Sequence, residues 1–207
     1  MIAVVPVKAL AESKSRLFPE RARRDVEALS LAMMGDVIAC LRAVPAIARV
    51  LVVTPDPEVA RRAEGDGAQV LVRAEPGLNP AIEAACAAFA AADAAALVVL
   101  GDVAAADPIE VAQLLDAAPA RGVALAPSRD GGTSALLRRP RDVIPARFGR
   151  DSAKRHREAA AAVEAPLVEL ALPSLAIDVD LSEDARAILA QPTLGARTRA
   201  LLEAWRT

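Results

Sequence analysis

Leu97-Val98-Val99-Leu100-Gly101-Asp102 decides the fold. Four consecutive apolar residues, then a glycine and an acid, read as a strand buried on both faces that ends at a polar edge. Strands of that kind belong to parallel sheets covered by helices. Similar short runs lie on either side. Ile2–Pro6, Arg49–Thr54 and Gln69–Val72 precede it; Val123–Ala126, Ser134–Arg138, Leu167–Leu170 and Leu175–Val179 follow. Between them lie helical patterns at 20–44, Pro57–Glu64, Asn79–Ala92, Pro108–Ala117 and Asp151–Val163. Ser182–Ala190 and Arg197–Trp205 read as closing helices. This alternation predicts an α/β fold, one Rossmann-like domain over 1–207, with a mostly parallel sheet and helices on both faces. The irregular segment 127–151, with Gly131, Gly132 and Gly149, is expected to fold over the sheet edge as a small substrate hairpin or loop.

In such sheets ligands bind beyond the carboxyl ends of the strands, which places Asp102 at the functional edge. Two further acids stand in Ile177-Asp178-Val179-Asp180. If that stretch is a strand, Asp178 and Asp180 share a face, about 6.5–7 Å apart. Paired carboxylates repel unless a cation lies between them, and a hard cation such as Mg²⁺ usually brings phosphates. Capping of the helix that follows is the competing explanation.

The 207 residues are 54% hydrophobic, with 2% aromatic, so Ala, Val and Leu must build the core. The net charge of −2 argues against a general nucleic-acid binder. Two segments are nevertheless basic. Residues 8–24 carry Lys8, Lys14, Arg16, Arg21, Arg23 and Arg24 against Glu12 and Glu20; residues 138–157 carry eight basic residues against Asp142 and Asp151. Local basic segments in an acidic chain suit a small anionic ligand, although solvated helix faces account for many such arginines. Cys40 and Cys86 have no CxxC company and read as core thiols in a reducing compartment. The N-terminus lacks the pattern of a signal peptide, and no run reads as a membrane helix, so a cytoplasmic location is expected.

The loop from Pro6-Val7-Lys8 to Ser13-Lys14-Ser15-Arg16-Leu17 follows the first strand and can set amides and cations against phosphates. It is neither GxxxxGK[ST] nor GxGxxG. Gly131-Gly132-Thr133-Ser134 offers amides and hydroxyls, and Phe148-Gly149-Arg150-Asp151-Ser152 opens a helix; both can hold an anion, or be an ordinary turn and cap. His156, the single histidine, is read as an exposed residue or one that supports a neighbour rather than as a catalytic base.

In this order the motifs resemble the 2-phospho-L-lactate or phosphoenolpyruvate guanylyltransferases of coenzyme F-420 biosynthesis. These share a nucleotidyltransferase fold with molybdenum-cofactor guanylyltransferase and sugar-nucleotide enzymes. The resemblance covers nearly the whole chain. It rests on Pro6-Val7-Lys8, Ser13-Lys14-Ser15-Arg16-Leu17, Val52-Val53-Thr54-Pro55-Asp56, Gly77-Leu78-Asn79 and Gly101-Asp102. It continues through Ala126-Pro127, Gly131-Gly132-Thr133, Phe148-Gly149 with Ser152, and Ile177-Asp178-Val179-Asp180. It implies transfer of GMP from GTP to phosphoenolpyruvate, 2-phospho-L-lactate or 3-phosphoglycerate, with loss of pyrophosphate. By the same resemblance Asp102, Asp178 and Asp180 hold Mg²⁺, and Thr133, Gly149 and Ser152 grip the acceptor. Lys8, Lys14 and Arg16 lie over the triphosphate, in a catalytic and nucleotide-binding role, while Thr54 and Asn79 lie near base and ribose. The labile product makes handover to the next transferase of the pathway an expected partnership.

Two departures stand out. Val103-Ala104-Ala105-Ala106 replaces the family's usual Leu-Pro after Gly-Asp, implying a reshaped loop, and Ser134 replaces its usual Asn, implying altered acceptor recognition. The alternatives are another nucleotidyltransferase of the fold, acting on molybdenum cofactor or a sugar phosphate, and a non-catalytic nucleotide-binding relative. The glycine-free loop Lys8–Leu17 counts against the molybdenum reading.

Overall fold

The computed structural model describes residues 1–12, 21–73, 77–89, 91, 94–177 and 182–205. Its strands form one sheet in the order β3-β2-β1-β4-β6-β5-β7. They are β1 (Ile2–Pro6), β2 (Arg49–Thr54), β3 (Gln69–Val72), β4 (Ala96–Val99), β5 (Gly122–Pro127), β6 (Thr133–Arg139) and β7 (Leu167–Glu169). Neighbours β3, β2, β1 and β4 run parallel, as do β5 and β7; β6 alone runs the other way, paired antiparallel to both β4 and β5.

The helices are α1 (Arg23–Arg42), α2 (Pro57–Gly65), α3 (Leu78–Phe89), α4 (Pro108–Ala117), α5 (Ser152–Ala162), α6 (Ser182–Leu189) and α7 (Ala196–Ala204). Alternation along β1 sends Ala3 and Val5 into a core shared with α1, α2 and α4, and Ile2 and Val4 into a second core shared with α3 and α5. Both faces of the sheet are therefore covered, as continuous apolar strands require. The helix starts follow the sequence closely. Asp56 and Asp107 each precede a proline, and each carboxylate accepts the backbone N–H two residues on, from Glu58 and Ile109 at 2.8 Å.

A third cluster joins the C-terminal helices to the rest. Leu29 and Met33 of α1 meet Ala104, Ala105, Ile188, Leu194 and Leu202. Asp36 of α1 caps α7, accepting from Thr198 N at 2.8 Å and Thr198 Oγ1 at 2.7 Å. Arg21 lies over the Trp205 ring at 5.1 Å and donates to its carbonyl at 2.6 Å. Among the described residues, no helix is long and apolar enough to cross a membrane.

The glycine-rich segment forms a hairpin as expected: its first residues turn β5 into β6 beside the carboxyl end of β4, and β6 is inserted inside the sheet. One sequence expectation is corrected. The strand expected at Leu175–Val179 is absent from its described part; Pro173–Leu175 is instead a 3-10 turn. Ser174 N donates to Glu110 Oε2 at 2.8 Å, and Asp107 N donates to Ser174 Oγ at 3.0 Å. These bonds anchor the turn to the start of α4, and Leu175 N and Ala176 N donate within it, to Leu172 O at 3.0 Å and Pro173 O at 3.3 Å, rather than to a ladder. Val179 lies outside the described residues, as do Asp178 and Asp180.

Candidate active site

The carboxyl ends of β1 and β4 lie side by side, and the β5–β6 turn stands beside them because β6 runs antiparallel to β4. Leu100 N donates to Ser134 O at 3.0 Å, extending that pairing past the end of β4. A cleft of about 400 Å³ opens at this point. Pro6, Val7 and Lys8 line it from the end of β1, and Leu100, Gly101 and Asp102 from the end of β4. The opposite wall carries Ser128, Asp130, Gly132 and Thr133 of the hairpin, with Gly149, Arg150 and Ser152 from the start of α5.

Each wall has a local cause. The N-terminal loop is fixed where it leaves β1: Val7 N donates to Val53 O at 2.9 Å, and Leu10 N donates to Asp56 Oδ2 at 2.9 Å. Asp56, although partly desolvated, keeps a carboxyl below the usual carboxylate range, since the Leu10, Glu58 and Val59 amides favour its anion. The hairpin turn is knotted by Asp130, which accepts from Ser128 Oγ and from Gly132 N at 2.9 Å. The Ser128 hydroxyl is the main reason its carboxyl stays low. A Cβ on Gly132 would stand 2.6 Å from Ser128 Oγ, so a side chain there displaces the knot. Gly149, at φ +113°, turns the chain into α5.

The hairpin and α5 form one wall. Ala153 N donates to Gly131 O at 3.3 Å, and Ser152 N to Gly149 O at 3.1 Å. Ser152 is buried, and its Oγ has no partner among the described residues although it borders the cleft. A buried hydroxyl so placed is an unmet donor for an anion.

The structure brings Lys8, Asp102, Thr133, Gly149 and Ser152 around one cavity. Lys14, Arg16, Asp178 and Asp180 lie outside the described residues. Thr54 and Asn79 do not line this cleft. Thr54 Oγ1 accepts from Asp56 N at 3.1 Å. The Asn79 amide clasps the Phe148 backbone, accepting from its N–H at 2.7 Å and donating to its carbonyl at 3.1 Å. It thus holds the approach to Gly149.

Ser134 follows Thr133 on β6 and so points to the opposite face of the sheet; it is buried and does not line the cleft. Val103 to Ala106 are buried too, and the C-terminal segment pins them. Gly195 N donates to Ala104 O at 3.0 Å, and Thr193 Oγ1 to Ala105 O at 2.7 Å. The apolar replacement is thus absorbed by packing beneath the helices that close the fold.

Sequence reasoning missed Ser128, Asp130 and Arg150. An Asp directly before a Gly-Gly pair is a detectable signal, since such a carboxylate accepts the amide two residues on. Of the two readings of His156, burial removes the exposed one: the residue is wholly buried, bonded to Thr133 and Arg147. Cys40 and Cys86 are core thiols as read. Burial pushes Cys40 up to about 12 and raises Cys86 as well, so neither is a nucleophile at neutral pH.

Among the described residues no three His, Cys, Asp or Glu side chains cluster as a metal site. The cleft does fit a hard cation chemically. The strand end supplies the carboxylate of Asp102, a hard oxygen ligand, and the lining presents neither thiolate nor imidazole.

The family model described as "Guanylyl transferase CofC like" matches residues 1–202. The phosphoenolpyruvate guanylyltransferase of Sphaerobacter thermophilus is 37% identical over 198 residues, covering 94% of this chain and 95% of that one. That of Mycobacterium sp. (strain KMS) is 40% identical over 204 residues, covering 95% and 88%. Among solved structures, a putative nucleotide-diphospho-sugar transferase from Desulfovibrio desulfuricans superposes with TM-score 0.79 at 16% identity, covering 98% of this chain and 94% of that chain. A nucleotidyl transferase from Methanothermobacter does so with TM-score 0.67 at 18% identity, covering 91% and 95%. At such identities the structural likeness speaks for the fold.

Proposed function

The chain belongs to the CofC-like guanylyl transferases, and from that premise we propose that this nucleotidyltransferase moves GMP from GTP to phosphoenolpyruvate or a close phosphorylated carboxylic acid. The observation that carries the reading is the two-sided cleft. A carboxylate and a lysine stand at the strand ends on one side; on the other stand a glycine turn knotted by Asp130, the hydroxyls of Ser128, Thr133 and Ser152, Arg150 and a helix start. The first side suits a metal-bound triphosphate, and the second suits a small dianion. 2-Phospho-L-lactate and 3-phosphoglycerate carry the same two anionic groups and are the competing acceptors. Membership in the coenzyme F-420 pathway, and handover to its next transferase, follow only if one of these acids is used.

The reaction needs little from the protein beyond placement. An oxygen of the acceptor phosphate attacks the α-phosphorus of GTP; the bond from that phosphorus to the bridging oxygen breaks, and pyrophosphate leaves with the electron pair. The attacking phosphate is already ionised at neutral pH, so no side chain has to remove a proton. Lys8, with Lys14 and Arg16, offsets charge on the triphosphate; Thr133, Gly149 and Ser152 hold the acceptor in line. Asp102, with Asp178 and Asp180, would hold Mg²⁺, which supplies charge neutralisation when bound.

The test is pyrophosphate release from GTP and Mg²⁺ with each of the three acids offered separately. Release with one acid, abolished by a chelator, is expected. Protein that binds GTP yet releases nothing with any acid would refute the proposal.

A further inference from the structure

The imidazole of His156 is enclosed, and two of its neighbours fix its proton. It lies one turn along α5 from Ser152, on the same face of the helix. Phe148 meets the ring edge-on, with centroids 5.1 Å apart. Arg147 N is 2.9 Å from Nε2, and Thr133 Oγ1 is 3.0 Å from Nδ1. A backbone N–H can only donate, so Nε2 must present its lone pair. A neutral imidazole with a bare Nε2 carries its hydrogen on Nδ1. The Nδ1–H then donates to Thr133 Oγ1.

A threonine hydroxyl has one proton and two lone pairs. With a lone pair occupied by Nδ1–H, the Thr133 proton must be given elsewhere. Thr133 has no other side-chain partner among the described residues, and it lines the cleft. We infer that His156 is a positioning residue, whose Nδ1–H holds the Thr133 hydroxyl as a hydrogen-bond donor directed at an anion in the cleft. With Ser152 Oγ, whose partner is also missing among the described residues, this makes a pair of hydroxyl donors on one wall.

The charge state agrees with the geometry. Burial, reinforced by Arg138, Arg155 and Arg147, pushes the imidazole down to about 4, so it is neutral at pH 7. An imidazolium would donate from both nitrogens and clash with the Arg147 N–H. Identification of the anion as the phosphorylated acid rests on the function proposed above; the tautomer does not.

The chain has one histidine, so ¹⁵N-histidine labelling gives a single imidazole to read. The long-range ¹⁵N–¹H spectrum of the full chain at pH 7 is expected to show the Nδ1–H tautomer; the Nε2–H tautomer would overturn the inference. Two variants give the second readout. His156→Gln can still accept from Arg147 N but has no donor at the Nδ1 position, whereas His156→Asn places an amide N–H there. With phosphoenolpyruvate and GTP, His156→Gln is expected to raise the KM of the acid about tenfold and leave that of GTP within about twofold, and His156→Asn to restore most of the loss. Equal rises in both KM values, with no rescue by Asn, would overturn the inference by assigning the histidine to general structure. The Nδ1–H tautomer in a chain that turns over no phosphorylated acid would support the hydroxyl's orientation and refute the acceptor.

Discussion

Acidification should destabilise this protein through His156 well before its carboxylates are protonated. In the unfolded chain the imidazole titrates near 6.5; in the fold it is held at about 4. Between those values the unfolded state binds a proton that the native state refuses. The contribution is thus complete above about pH 6.5 and lost as pH falls toward 4. Integrating the two titrations from about pH 8 to pH 5 gives a loss of about 2 kcal/mol. The assay is urea unfolding followed by circular dichroism at both pH values, for wild type and His156→Gln. The variant removes the titrating group, so its stability should fall by about 2 kcal/mol less than that of wild type over the same interval. Whatever the substitution costs at a single pH cancels in that comparison. Parallel pH dependences in the two proteins would refute the enclosed, neutral imidazole.

Three other outcomes follow from the geometry. Ser152→Ala removes a buried hydroxyl at the cleft wall, and should raise the KM of the acceptor by about tenfold while that of GTP moves little; steady-state pyrophosphate release checks this, and the reverse pattern would mean the substrates occupy opposite walls. Asp102→Asn keeps the shape of the strand end but removes its charge, and should lower kcat by about 10²-fold or more, with the circular dichroism spectrum intact; near-wild-type turnover would exclude Asp102 from any metal site. Asp36→Ala removes the cap of α7 and the acceptor for Thr198, and should cost about 2 kcal/mol in urea unfolding; a change below about 0.5 kcal/mol would mean that α7 is held by its apolar face alone.

Much of the sheet was legible because its strands are short, apolar and bounded by turn residues. Ile2–Pro6, Arg49–Thr54 and Gln69–Val72 fall where the pattern puts them. Asp56-Pro57 and Asp107-Pro108 mark helix starts by local chemistry that needs no tertiary context. The misreadings come from distant contacts. Leu175 and Ile177 have the apolar character of a strand, but Glu110 and Asp107, more than sixty residues earlier, capture the segment as a turn. No periodicity announces that β6 enters the sheet between β4 and β5. Local pattern shows a hairpin, and only the ladder from Ala96 to Val99 shows where it docks. The site residues at strand ends and glycine turns could be read because position in an α/β sheet carries chemistry with it. The enclosure of His156 could not, because its ring is held by a hydroxyl 23 residues earlier and a backbone amide 9 residues earlier.

The lone reversed strand also bears on ancestry. On one side of the β4–β6 ladder the sheet is built wholly from residues 2–99, and on the other wholly from 122–169. A seam in space therefore coincides with a seam in the gene. A single crossover between two relatives, placed in the codons for 107–121, passes on one parent's strand ends and the other parent's hairpin wall intact. The ladder that joins them is backbone to backbone, but side chains cross it as well. The constraint on such an offspring lies in those pairs: Glu83 with the buried Arg138 at 2.7 Å, Asn79 with the Phe148 backbone, and the clasp of Asp36 with Thr198, where the last helix returns to the first half. Lineages that exchange acceptor walls should keep those pairs matched, even while the residues of the cleft diverge.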